Sequence, residues 1–277
     1  MSRLLITGGS GYLGRHLVPM ALANHEVLYT YFSYDPLGLE QGRPLDIREA
    51  TAVTDLISRF APDAVIHTAG SNRGADMPAV VEQGTANVSR AAAQVGARLV
   101  HLSTDSIFAG RGGAPYGETA VPTPVNLYGR AKTAAEAHAR QHPDHVIIRT
   151  SLIYGLEQMD HGTEWMVRAL NAGQTVTLFD NQIRNPIWVQ TLALACLELV
   201  DCPHQGVLNV AGRQVMTRAE FSLRMLDYWG ITERATLQIG PSSGGQWPLD
   251  CALDLRLAMA TLNTALLGVD EVLRPFV

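Results

Sequence analysis

Short runs of apolar residues alternate along the chain with longer stretches in which apolar positions recur every three or four residues. The first pattern belongs to strands and the second to helices. Strands are expected at 4–7, 26–31, 64–68, 98–103 and 145–150, rich in Val, Ile and Leu as burial on both faces demands. Helices are expected near 12–23, 48–60, 78–95 and 127–141. Such repetition builds a doubly wound parallel sheet, an α/β fold of the Rossmann type.

Beyond Gly155 the alternation loosens, with helices expected near 163–172, 188–200 and 217–229 and short strands near 175–179 and 207–210. Residues 1–155 should form the larger unit, with 188–205 returning to it. Residues 156–187 and 206–277 should form a smaller C-terminal α/β lobe that holds the substrate. Pro115, Pro122 and Pro124, with Gly110, Gly112, Gly113 and Gly117, make 109–125 a loop after the fourth strand, where open α/β sheets bind ligands. No internal repeat or low-complexity tract interrupts the pattern.

Composition narrows the functions available. The chain has 277 residues, 47% hydrophobic and 17% charged, enough for one large core with an attached lobe. A formal charge of -5 supplies no field for nucleic acid or an anionic membrane, so a small molecule is the expected partner. The most apolar later stretch, 188–200, is interrupted by Gln190, Thr191 and Glu198 and is too short to span a bilayer. No secretion signal is visible, and Cys196, Cys202 and Cys251 form no disulfide pattern, so a reducing cytoplasm is expected. His138 and His142 lack a third ligand, so no metal is expected and both are read as helix surface.

Thr7-Gly8-Gly9-Ser10-Gly11-Tyr12-Leu13-Gly14 lies between an expected strand and an expected helix, the setting of a dinucleotide-phosphate turn. Gly8 serves the tight turn, Gly11 the approach of backbone to pyrophosphate and Gly14 the packing of helix on strand. Gly8, Ser10, Gly11, Tyr12 and Leu13 are the expected phosphate contacts. The second strand ends Tyr31-Phe32-Ser33-Tyr34-Asp35, without an acid at the strand end itself. Ser33 and the more distant Arg43 offer contacts to a 2′-phosphate, and Asp35 offers one to a free 2′-hydroxyl. NADP and NAD both remain open, with a slight lean to NADP.

Tyr128 and Lys132 stand four residues apart and so share one helix face, where the ammonium can lower the phenol's proton affinity. The fourth strand ends in His101-Leu102-Ser103-Thr104-Asp105-Ser106, which brings hydroxyls to the same sheet edge. With these motifs the sequence resembles the extended short-chain dehydrogenase/reductase family over nearly its whole length. The stretches Ser103–Gly110, Asn126–Lys132 and Arg149–Gly155 look most like the dTDP-4-dehydrorhamnose reductases and their sugar-nucleotide relatives.

The resemblance implies that Tyr128 protonates a substrate carbonyl oxygen as hydride reaches the carbon, with Lys132 tuning the phenol and binding the nicotinamide ribose, and Thr104 orienting the carbonyl. It places Asp46 and Ile47 beside the adenine and Ala69 and Gly70 under the cofactor. It also implies that Thr104, Asp105, Asn126, Arg184 and Trp247 face the substrate, Arg184 on a pyrophosphate. Relatives carry an arginine where Trp247 stands, an acid where Gln190 stands, and an asparagine where Val81 stands. The implied activity is reduction of a keto group on a sugar nucleotide. The alternatives are an epimerase or dehydratase that keeps its NAD bound, and a catalytically silent dinucleotide-binding regulatory subunit like the relative that acts with methionine adenosyltransferase. A homodimer through the helices near 78–95 and 127–141 is a further expectation of the resemblance.

Overall fold

The computed structural model of the protein describes residues 1–71, 73–243 and 245–274. Its larger unit is built from β1 (Arg3–Thr7), β2 (Glu26–Tyr31), β3 (Gly42–Pro44), β4 (Ala64–His67), β5 (Arg98–Thr104) and β6 (His145–Thr150). Four short strands follow, β7 (Ile153–Tyr154), β8 (Val176–Phe179), β9 (Ile183–Arg184) and β10 (Ile187–Trp188), before β11 (Gly206–Asn209) returns to the first six. The resulting seven-stranded sheet is parallel throughout, in the order β11-β6-β5-β4-β1-β2-β3. Strand order reverses between β1 and β4, and this switch point opens a crevice at the carboxyl ends of those strands.

Strand side chains feed two apolar layers, as the alternation of a pleated strand requires. Leu4 and Ile6 of β1 point into the layer under α1 (Tyr12–Leu22), while Leu5 points into the opposite layer under α2 (Ala50–Phe60) and α3 (Met77–Gln94). Beside α3 lies α4 (Leu127–Ala139), on the same face of the sheet. After α5 (His161–Asn171), the helix α6 (Val189–Asp201) packs against α1. Val189, Leu192, Ala193, Ala195, Cys196, Leu199 and Val200 are buried, which is why this stretch is so apolar. Among the described residues no helix is long and apolar enough to cross a membrane.

The chain continues with β12 (Met216–Thr217), α7 (Arg218–Tyr228), β13 (Leu237–Gly240), α8 (Arg256–Thr261) and α9 (Val269–Leu273), of which α8 packs its buried Ala258 into the core of the central sheet beside β11. In the smaller lobe β8 pairs in parallel with β13 over α5 and α7, around Met166, Leu170, Leu178 and Leu226. Every strand and helix expected in the larger unit is present, within one or two residues at the ends. The additional β3 escapes the hydrophobic pattern because Gly-Arg-Pro contains no apolar run. The strand expected near 207–210 lies not in the small lobe but at the edge of the central sheet, where β11 pairs with β6. His142, expected on a solvated helix face, lies beyond the end of α4 and is buried, its Nδ1 accepting from the Asp144 amide at 3.1 Å.

Candidate active site

The glycine-rich turn joins β1 to α1 across the switch point. Gly8 has φ +76°, and a Cβ there would meet the Ala69 Cα at 2.6 Å. A Cβ on Gly14 would meet the Gly8 carbonyl oxygen at 2.3 Å. Any side chain at either place would therefore fill the cradle or push β1 and α1 apart. No side chain caps α1 and its first turn holds no acid, so the positive end of the helix is left for an anion. The Leu13 side chain is buried in the core, which leaves only its backbone for that purpose. The Tyr12 hydroxyl instead crosses to the Gln158 carbonyl at 2.8 Å, covering the outer side of the turn.

A buried hydrogen-bond chain fixes the base of this turn. Thr85 donates to the Val81 carbonyl at 2.6 Å, so its oxygen accepts from His67 Nε2 at 3.1 Å, and His67 Nδ1 accepts from Thr7 at 2.6 Å. This direction requires a neutral imidazole. Burial, reinforced by the Lys132 charge, pulls the His67 pKa down to about 3, in agreement with that tautomer.

At the adenosine end, Asp35 is already spent: its carboxylate accepts from the Tyr29 hydroxyl at 2.7 Å and the Leu37 amide at 3.1 Å. Ser33 is exposed at the end of β2. Arg43 folds back on the carbonyls of Glu40 and Gly42 at 2.6 and 2.7 Å. Asp46 is gripped by the Arg48 guanidinium at 2.6 Å, which holds its carboxyl below the usual range. Ile47 is buried behind it. Ala69 and Gly70 follow β4 directly, so the small residues expected under a cofactor do border the crevice.

The three expected catalytic groups come together at the carboxyl end of β5. Asn126 caps α4, its Oδ1 accepting from the Gly129 amide at 2.8 Å, and this starts the helix one residue before Tyr128. Tyr128 and Lys132 then face the strand end. Tyr128 packs against Met77, Val81, Ala131 and Ala135, and this burial together with the nearby Asp105 charge pushes its pKa up to about 12. A hydrogen bond with Thr104 acts in the opposite sense. Lys132 donates to the Leu102 carbonyl at 2.9 Å, and burial draws its pKa down to about 8. A Cβ on Gly70 would stand 3.8 Å from the Lys132 ammonium, which puts that charge at the crevice floor.

One register further along α4 stands Glu136, fully buried, which sequence reasoning missed although it repeats the four-residue spacing of Tyr128 and Lys132. It pairs with the buried Arg149 of β6 at 2.9 Å and accepts from Ser103 at 2.7 Å. Ser103 is thereby committed to structure, and Thr104 is the hydroxyl of β5 that meets Tyr128. The Glu136 brace locks α4 to the sheet and so fixes the height of Lys132 above the crevice.

Three expected substrate contacts have other tasks. Arg184 is not an exposed loop cation: it is buried, donating to the carbonyls of Ile183, Leu249 and Pro248 and pairing with Asp105 at 3.4 Å. Its guanidinium has little left for a pyrophosphate. Asp105 is also buried, accepting from Ser151 at 2.6 Å. Asn126, besides capping α4, donates to the Gln246 carbonyl at 3.1 Å. Together these bonds strap residues 246–250 to the catalytic end of the sheet, and Trp247 projects from the strap with 57% of its surface exposed. Beside it is a cavity of about 450 Å³ lined by Arg73, Trp165, Phe179, Gln182, Arg218 and Trp247. Apart from Trp247, sequence reasoning missed these residues, since they come from separate elements with no shared motif.

Among the described residues no cluster of His, Cys, Asp or Glu could hold a metal ion. The chain matches the family model described as RmlD substrate binding domain over residues 2–251. It is 32% identical over 216 residues to a dTDP-4-keto-6-deoxy-D-glucose reductase of Streptomyces niveus, covering 75% of this chain and 72% of that protein. The beta subunit of methionine adenosyltransferase 2 from Xenopus tropicalis is 28% identical over 306 residues, covering 99% of this chain and 88% of the other. A crystal structure described as a hypothetical dTDP-4-dehydrorhamnose reductase from Sulfolobus tokodaii superposes with a TM-score of 0.83 at 29% identity, covering 97% of each chain.

Proposed function

The chain belongs to the RmlD substrate-binding-domain family within the extended short-chain dehydrogenases/reductases, and from that premise we propose that it is an NAD(P)-dependent reductase of a keto group on a sugar nucleotide. The convergence of Thr104, Tyr128 and Lys132 at the end of β5, beside a phosphate cradle, carries this reading. The glycine turn and the uncapped end of α1 fit a dinucleotide pyrophosphate. When bound, the reduced nicotinamide supplies hydride to the substrate carbon. Asp35 is turned inward on Tyr29 and Leu37, and Arg43 back on the carbonyls of Glu40 and Gly42, so these two residues favour neither NADP nor NAD.

The chain's own groups manage the proton. Near neutrality Tyr128 is protonated, since its pKa lies near 12, and so it stands ready as the acid for a carbonyl oxygen. Thr104 hydrogen-bonds the phenol and would hold that same oxygen in place. Lys132, one helical turn further on and held to the Leu102 carbonyl at 2.9 Å, is the cation that would face the phenolate left behind. Val81, Met77, Ala131 and Ala135 pack against Tyr128.

To test this, NADPH and NADH oxidation is followed with a panel of 4-keto-6-deoxy sugar nucleotides. One reduced cofactor consumed per product formed is expected. Product formed without net cofactor consumption would contradict reduction and identify an epimerase or dehydratase.

A second reading, a dinucleotide-binding subunit without turnover, is favoured by the match to the methionine adenosyltransferase subunit, which runs over 99% of the chain. Cofactor binding without oxidation by any member of the panel, with a partner enzyme retained through purification, would support it.

A further inference from the structure

Lys132 is the single lysine among the 21 Lys and Arg residues of the chain. Every other basic side chain is an arginine, whose guanidinium stays protonated and forms no stable imine with a simple aldehyde. The one side-chain amine of the protein therefore stands at the crevice floor, one helical turn from Tyr128. It is buried but not sealed. Lys132 is 6% exposed and donates to the Leu102 carbonyl at 2.9 Å. Once deprotonated, the amine keeps two N–H groups and a lone pair, so it can hold Leu102 and still attack an electrophile. Toward the crevice its neighbour is Gly70, where a Cβ would meet the Val81 Cγ2 at 3.6 Å and the Lys132 Nζ at 3.8 Å. Gly70 has φ +155°, a conformation that side-chain-bearing residues rarely adopt, so the backbone itself keeps this approach free of a side chain.

The groups around the amine leave it nucleophilic. Burial draws its pKa down to about 8, against the pull of Glu136 on its own helix, which is already paired with Arg149. His67 of β4 and His101 of β5 are stacked at 5.3 Å and face Lys132 as neutral rings, kept so by burial and by the Lys132 charge. Tyr128 is an uncharged phenol near neutrality, Met77 and Val81 of α3 bring no charge, and Asp105 beyond the phenol is paired with Arg184. Ordinary lysine, with a pKa of about 10.4, is almost wholly ammonium at the pH where part of Lys132 is free amine. We propose that Lys132 is a site of reversible covalent modification by small aldehydes, which enter over Gly70, condense with the amine and switch the enzyme off. The Nζ lone pair adds to the aldehyde carbon, the carbonyl oxygen takes up a proton to give a carbinolamine, and loss of water leaves a C=N bond. Hydrolysis runs the same steps backwards, and neither oxidant nor reductant takes part. The imine replaces the ammonium that the Tyr128 phenolate would face. The proposal rests on the reductase reading for that consequence and not for the adduct itself. Because the arginines do not compete, a dilute aldehyde is directed to this residue and to the terminal amine alone.

To test it, the full chain is incubated with propionaldehyde and cyanoborohydride, which reduces the imine to a stable propylamine, and adducts are located by mass spectrometry after cleavage at arginine. One side-chain adduct is expected, on the peptide 131–140, with a formation rate that is half-maximal near pH 8. In the urea-unfolded chain the half-maximal pH should move to about 10.4, that of ordinary lysine. Lys132→Arg should carry no side-chain adduct, and should that variant fail to fold, the pH profile of the unmodified chain decides. When cyanoborohydride is added only after gel filtration has removed the aldehyde, the adduct should be absent, since the imine has hydrolysed. An adduct confined to the terminal amine, a native profile that follows the unfolded one, or an adduct that survives gel filtration overturns the proposal. The adduct is read by mass without turnover, so its absence and an absence of reductase activity are separate results.

Discussion

Lys132 holds the titration that matters near neutral pH. Its ammonium is buried beside the crevice with a pKa drawn down to about 8, while Tyr128, pushed up to about 12, keeps its proton far beyond that. In the mechanism proposed above, reduction needs a charged Lys132 and a protonated Tyr128. As pH rises through about 8 the ammonium loses its proton, the phenolate loses its stabilising partner, and kcat/KM falls while Tyr128 is still in its acid form. A profile of kcat/KM between about pH 6 and 10 should show one descending limb near the Lys132 pKa. A limb rising through this range would assign the essential group differently. Val81 contributes at the same scale: its apolar side chain packs with Tyr128 and adds to the burial that spreads these two pKa values apart.

The turn after β5, β9 and the strap are tied together through Asp105 and Arg184. Both side chains are buried and pair at 3.4 Å, so deleting one leaves the other's charge without its nearest opposite charge. Arg184→Met should cost about 3–5 kcal/mol of stability by urea unfolding, and adding Asp105→Asn should recover part of that loss. Additive losses in the double variant would mean that the pair is not coupled. The consequence for function is geometric. The carbonyls of Pro248 and Leu249, held by Arg184, set where Trp247 stands, and Asn126 ties the same strap to the cap of α4. Glu136 and Arg149 do the equivalent for the other end of that helix, fixing it to β6.

At the scale of the whole molecule, what could be read from the chain divides by the range of the forces involved. The parallel sheet was legible because strands buried on both faces leave uninterrupted apolar runs, and the proximity of Tyr128 and Lys132 to the end of β5 because they are one helical turn apart. β3 was not legible, since Gly-Arg-Pro owes its strand conformation to pairing with β2 rather than to its own side chains. Nor was the inward turn of Arg184, because an arginine's surroundings depend on chain segments 65 residues away, as its bond to Leu249 shows. The donor-rich cavity gathers side chains from positions 73 to 247 and exists only once both lobes are folded. The proposed chemistry itself takes place at the end of β5. The decisive measurement there is the single-turnover rate of reduction, with cofactor affinity, in Tyr128→Phe. The rate should fall about 10²- to 10⁴-fold with the cofactor Kd unchanged, as expected for loss of a general acid. A Tyr128→Phe enzyme that reduces its substrate at the unmodified rate would rule out Tyr128 as the proton donor.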